Sequence, residues 1–172
     1  ILNKTGTATG TVAVSGSGTT RTVTLSSISG NGTLGISLAP GMAADLAGNA
    51  ALAAGPSVPF TVDNTPPTVT ISAPSATITA NNPVTYLVSS ADANLGQTDL
   101  TSADIALVST GTATGIASVS GSGNTRTVTI LGIAGNGTLG ISLAGGTAID
   151  LAGNAAASVG SSANFIVDNT AP

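Results

Sequence analysis

The sequence predicts an all-β protein built from copies of one unit about the size of a β-sandwich domain. Three observations lead there: apolar residues alternate with the period of strands, glycine- and asparagine-rich turns separate the alternating runs, and segments recur at a fixed offset of 105 residues. Each can be followed along the chain.

Alternation is clearest at Val84, Tyr86 and Val88, at Val128 and Ile130 between Thr127 and Thr129, and at Leu139, Ile141 and Leu143 with Gly140 and Ser142 between them. A side-chain period of two with β-branched residues and threonine suits a pleated, half-buried surface. Gly-Ser-Gly at 121–123 and Asn-Gly at 136–137 tolerate the positive φ that tight reversals need. The runs predict seven strands, about 68–72, 83–89, 104–108, 115–120, 125–131, 137–143 and 162–168, with helix confined to a single turn near Asp-Leu-Ala-Gly-Asn.

The repeat sets the organisation. TGTATG at 5–10 returns at 110–115, TRTVT at 20–24 at 125–129, GNGTLGISLA at 30–39 at 135–144, DLAGNAA at 45–51 at 150–156, and VDNT at 62–65 at 167–170. Between Ile1 and Pro67 the register never slips, and 45 of 67 positions match their partner at +105. That period is too long for a solenoid repeat and fits a whole sandwich domain.

Seven short antiparallel strands in such a length describe an immunoglobulin-like sandwich, without the paired cysteines and tryptophan of antibody domains. The core then rests on aliphatic residues with Tyr86 and either Phe60 or Phe165. With the boundary after Thr65, residues 66–172 hold a complete repeat plus the start of the next linker, and residues 1–65 the C-terminal part of another, lacking its first two strands and most of the third. Half a sandwich cannot bury its core. The expectation is either a window cut from a longer array or completion by another chain, as in donor-strand pairing.

The string TGTATG, VSGSG, RTVT, GNGTLGIS, DLAGNAA, VDNT(A/P)P resembles the bacterial immunoglobulin-like repeats of very large secreted or cell-surface proteins, repetitive adhesins among them. The resemblance covers essentially the whole chain. It implies an extracellular or bacterial cell-surface setting, service as stalk, spacer or adhesive module in tandem, and in some members calcium near domain junctions.

Composition removes other classes. Three bases, Lys4, Arg21 and Arg126, against seven aspartates give a net charge of -4, which cannot supply the cationic surface that binds nucleic acid or anionic lipid. Cysteine, histidine and glutamate are absent. Thiolate and imidazole sites and the Ser-His-Asp constellation are therefore excluded, and aspartate is the only carboxyl acid or base. The sequence points to no enzyme. GSGTTR and GSGNTR lack the Gly-Lys-Ser/Thr ending of a phosphate loop and sit between strands, as hairpin turns do. No apolar run is long enough to span a bilayer, and the N-terminus lacks the plan of a signal peptide, so any targeting segment is expected outside these residues.

The aspartates carry the remaining chemistry. In a sandwich of this order the linker, the second-to-third loop and the sixth-to-seventh loop gather at one end, bringing Asp63 and Asn64 toward Asp92, Asn94, Asp99 and Asp150, with Asn154 close by. These oxygens suit calcium. DANLGQTD at 92–99 is no EF-hand, since Gly96 comes one place early and no glutamate stands at the twelfth position. Asp150 and Asn154 can equally cap a turn. Arg126, on the core-facing parity of its strand, can pair with Asp150 as Arg21 can with Asp45. Both alternatives to a metal stay open here.

Asp63 and Asp168 stand near prolines that hold the linker extended. Threonine and serine cover the outer faces, as a sugar- or ice-facing array, as sites of O-glycosylation or, the leading reading, as a source of solubility without charge. Asn-Gly-Thr at 31–33 and 136–138 matches an N-glycosylation sequon that matters only in a host that uses it. The leading expectation is a non-catalytic spacer, stalk or filament-forming segment whose partners are neighbouring repeats or further copies. The other is an adhesin module that binds a glycan or protein ligand through its end loops.

Overall fold

The computed structural model describes residues 1–172. It is all-β and divides into two compact units, Ile1–Thr65 and Pro66–Pro172. No helix is long and apolar enough to cross a membrane.

Unit 1 contains β1 (Leu2–Lys4), β2 (Thr9–Ser15), β3 (Thr22–Ser29), β4 (Gly32–Ile36) and β5 (Phe60–Val62). β4 lies between β1 and β5 in one antiparallel sheet, and β2 pairs with β3 in another. Only Ala8, Leu34 and Val62 form its buried cluster, with Leu2 and Leu25 packed against them. Phe60 stays 43% exposed, so the aromatic part of the core belongs to the second unit.

Unit 2 contains β6 (Thr68–Ile71), β7 (Ile78–Thr79), β8 (Val84–Ala91), β9 (Leu95–Thr98), β10 (Ile105–Gly111), β11 (Thr114–Ser120), β12 (Thr125–Ala134), β13 (Gly137–Leu143), β14 (Ala148–Asp150) and β15 (Phe165–Val167). Two four-stranded sheets, ordered β11-β12-β8-β6 and β10-β13-β15-β7, enclose one apolar cluster. This arrangement is consistent with a β-sandwich. Val84, Tyr86 and Val88 from one sheet meet Leu139, Ile141, Phe165 and Val167 from the other, all between 0% and 2% exposed. Their alternation along each strand places every second residue inward.

Three short strands go beyond the sequence reading. β7 joins β15 in parallel, and β9 and β14 form a two-stranded ladder of their own. The helical turn also falls elsewhere. It is a 3-10 turn at Ser102–Asp104, where the Thr101 amide and hydroxyl both donate to the Asp104 carboxylate, whereas the Asp-Leu-Ala-Gly-Asn segment forms a side-chain-bonded turn.

Candidate metal centre

Two segments of unit 2 converge beside the entry of its first strand. β6 runs antiparallel to β8 with Thr68 opposite Ala91, so the chain enters the unit at the end where β8 gives way to Asp92. The β9–β14 ladder brings the other segment there: Asp150 sits opposite Leu95, and the Leu151 amide donates to the Asn94 carbonyl at 2.8 Å. One carboxylate oxygen of Asp92 and one of Asp150 consequently lie within 4.8 Å of each other. Ligand oxygens at about 2.3–2.6 Å from a calcium ion can be separated by up to about 5 Å. The spacing is compatible with one shared cation.

Each carboxylate also has local work. Asp92 accepts from the Asn94 amide at 2.7 Å and so shapes the turn out of β8. Asp150 is buried, 5% exposed, and its Oδ1 accepts from the amides of Ala152 and Asn154 at 2.9 and 2.8 Å while Oδ2 accepts from Asn154 Nδ2 at 2.7 Å. That uses three of about four acceptor sites on the group. Burial pushes the Asp150 pKa up, but the bonds from the Asn154 side chain and from the backbone of Asn154, Ala152 and Gly153 outweigh it and hold the carboxyl below its ordinary value.

The same turn recurs in unit 1 without the burial. Asp45 accepts from Ala47 and Asn49 amides at 2.9 Å each and from Asn49 Nδ2 at 2.8 Å, and the Asn49 side chain leads the causes that lower its pKa. The segment therefore builds its turn from local bonds. Burial is added by the surroundings.

The remaining expected ligands are placed as follows. Asp99 is exposed and accepts from the Gln97 side chain. Asn94 is half-buried, and its carbonyl is engaged by Leu151. Asp63 caps the Thr65 amide at 2.9 Å, and Asn64 fastens back onto its own unit, its amide donating to Asn31 Oδ1 at 2.7 Å and its side chain to the Gly30 carbonyl at 2.6 Å. No ion pair joins Arg126 to Asp150. Arg126 has the inward parity expected of it, but its guanidinium donates to the carbonyls of Gly123 and Thr98 at 2.8 and 2.9 Å. The carbonyl that takes it belongs to β9, a strand without an alternating apolar signature.

One arrangement repeats in both units without having been singled out from the sequence. In unit 2 Asn169 makes the bonds of Asn64, its amide to Asn136 Oδ1 at 2.7 Å and its side chain to the Gly135 carbonyl at 2.7 Å, and the Thr170 amide donates to Asp168 at 2.9 Å. The recurrence of Gly-Asn-Gly with Asp-Asn-Thr in both halves was the available signal. No family model, curated protein or solved structure matches the chain.

Proposed function

We propose that the chain is a non-catalytic structural module: immunoglobulin-like units in tandem, forming an extracellular spacer, stalk or filament segment of a bacterial surface protein. The observation that carries this reading is the doubled fastening of Asp-Asn-Thr to Gly-Asn-Gly, built from the same bonds at Asn64 and at Asn169. A segment fastened by the same bonds in each copy is what a repeated spacer needs, since every copy then holds its outgoing chain in the same way. A ligand-binding loop needs elaboration in only one.

Calcium is the proposed reinforcement of that joint. Asp92 and Asp150 supply two converging carboxylate oxygens, and Asp63 in the linker is the further ligand that the sequence puts forward. The ion would neutralise carboxylates that otherwise repel.

Small-angle scattering of polypeptides with increasing numbers of the 66–170 segment tests the stalk reading. The expected result is a maximum dimension that grows linearly with copy number. Growth as a compact globule would sink it.

A further inference from the structure

The two four-stranded sheets of unit 2 have four edge strands, β6 and β11 in one and β7 and β10 in the other. A free edge is a row of unpaired amides and carbonyls, and folded proteins blunt it by shortness, proline, a bulge or charge. Three of the four are blunted. β6 has four residues with Pro66, Pro67 and Pro74 around it, β7 has two residues, and β10 begins directly after Asp104 and carries no exposed large apolar side chain.

β11 differs on each count. Its seven residues, Thr-Gly-Ile-Ala-Ser-Val-Ser, contain no proline, and no charged residue occurs at positions 105–125. The irregularity in its pairing with β12 puts the extra residue on β12, between Leu131 and Ala134, so β11 itself stays regular. Ala117 and Val119 pack against the core, which turns Ile116 to the outer face. There Ile116 is 68% exposed and stands opposite Leu131, which is 41% exposed. The 3-10 turn lies beside β11 at the Ser120 end, because it leads into β10 and β10 doubles back into β11 through Thr112 and Ala113. Residues 114–118 form the open stretch.

We propose that residues 114–118 pair with the same residues of a second copy of this chain, antiparallel about a two-fold axis at Ile116. That register sets the two Ile116 side chains against each other, with Thr114 against Ser118 on either side. Leu131, Ile116, Ile116 and Leu131 then form one row across the joined sheets. The row is apolar and self-complementary, which selects a copy of the same edge over a strand of other sequence. No charge on the edge opposes the approach, and main-chain bonds add to it as in strand addition generally. A two-fold contact uses the edge of both copies and so closes at the dimer. Five residues a side make a small contact, so the pairing is reversible. Side-by-side pairing goes beyond the stalk reading and does not depend on it.

Sedimentation equilibrium of the 172-residue chain from micromolar to millimolar concentration tests the proposal. A monomer–dimer equilibrium is expected, with amide exchange protection at residues 114–118 that rises with concentration. Ile116→Lys puts two cations face to face at an already exposed position, and is expected to weaken the dimer by about tenfold or more while the amide spectrum of unit 2 stays that of a folded domain. Ser118→Lys, at an exposed serine, repeats the test without touching an apolar residue and is expected to act in the same direction. Ile166→Lys, at a residue of β15 that is 50% exposed, adds the same charge elsewhere and is expected to leave the dimer unchanged. Every one of these variants reduces the net charge of -4, so general repulsion between copies falls and cannot account for a weaker dimer. A chain that stays monomeric throughout overturns the proposal. So do assemblies larger than a dimer, protection that grows at residues 9–15 in place of 114–118, or a dimer that Ile116→Lys and Ser118→Lys leave unchanged.

Discussion

Tyr86 and Phe165 meet between the two sheets of unit 2, ring centroids 6.5 Å apart and planes tilted by 44°, while the Tyr86 hydroxyl donates to the Ala163 carbonyl at 2.9 Å. The ring fills the core and the hydroxyl ties β8 to the segment leading into β15. Tyr86→Phe keeps the ring and loses the bond, so it is expected to cost about 1 kcal/mol. Tyr86→Ala also opens a cavity and is expected to cost about 3–5 kcal/mol. Denaturant melts that rank the two equally would contradict this division. Burial raises the Tyr86 pKa, with the Ser162 side chain opposing. The corresponding stability is therefore intact below the ordinary tyrosine pKa of about 10 and is lost as pH rises from there through the raised folded-state value. The phenylalanine variant is expected to lack that alkaline loss.

The residues that were legible in the sequence are those whose signal is long and local. β8, β12 and β13 carry apolar alternation over seven to ten residues, and the turns between strands carry glycine. β7, β9 and β14 have two to four residues each and exist because distant segments pair with them, which no local pattern encodes. This is also why the Arg126–Asp150 pair, left open by the sequence, does not form: the parity of Arg126 is written in β12, but the Thr98 carbonyl it meets comes from β9. Asp150 was unavailable to it, since the turn that follows takes up its carboxylate. The approach of Asp92 to Asp150 follows from strand order and so could be anticipated, whereas Asp99 lies past the far end of β9, where its amide donates to the Thr147 carbonyl at the end of the ladder away from Asp150.

The Gly-Asn-Gly corner depends on backbone that only glycine adopts easily. Gly135 has φ +80°, and an added Cβ would run into the Thr112 carbonyl. Gly135→Ala is expected to destabilise unit 2 by more than about 2 kcal/mol, the left-handed penalty of about 1–2 kcal/mol plus the clash. Gly123, at φ +72° with nothing within 4 Å of its would-be Cβ, is the control. Gly123→Ala is expected to show the conformational cost alone, and equal losses in thermal melts would remove the clash from the explanation.

Thr147 is 3% exposed and its hydroxyl has no hydrogen-bond partner. A buried hydroxyl without a bond costs free energy that an isosteric methyl does not. Thr147→Val is expected to stabilise unit 2 by about 1 kcal/mol, equivalent to about 4–8 °C in Tm for a domain of this size. A lowered Tm would mean that the hydroxyl is satisfied by water.

Asp150 and Asp45 give matched tests of acid sensitivity. Both carboxyls are held below their ordinary value, Asp150 against the opposing effect of burial and Asp45 chiefly through Asn49. A depressed folded-state pKa contributes stability that is present above the unfolded value, about 3.9, and is lost as pH falls through the folded one. Asn154→Ala removes the side-chain donor to Asp150. It is expected to move the acid unfolding of unit 2 to higher pH while leaving pH 7 folding intact. A titration by nuclear magnetic resonance in which the Asp150 pKa does not rise in that variant would contradict the assignment.

Asp92 offers the cleanest test of calcium, because its carboxylate does less local work than that of Asp150. Asp92→Asn keeps an oxygen to accept from the Asn94 amide but removes one of the two converging charges. Without calcium it is expected to be neutral or slightly stabilising, since it relieves repulsion between carboxylates with oxygens within 4.8 Å. With calcium the order reverses. An ion that binds only the folded state raises stability by RT ln(1 + [L]/Kd), about 2.7 kcal/mol at a hundredfold excess over Kd, and the variant is expected to lose most of that gain. Asp63→Ala tests the linker's contribution in the same titration. Asp99→Ala, at an exposed carboxylate bound to Gln97, is expected to leave the gain unchanged. Equal calcium responses in the wild-type chain, Asp92→Asn and Asp63→Ala would place the ion elsewhere, and no response in any of them would remove calcium from the joint.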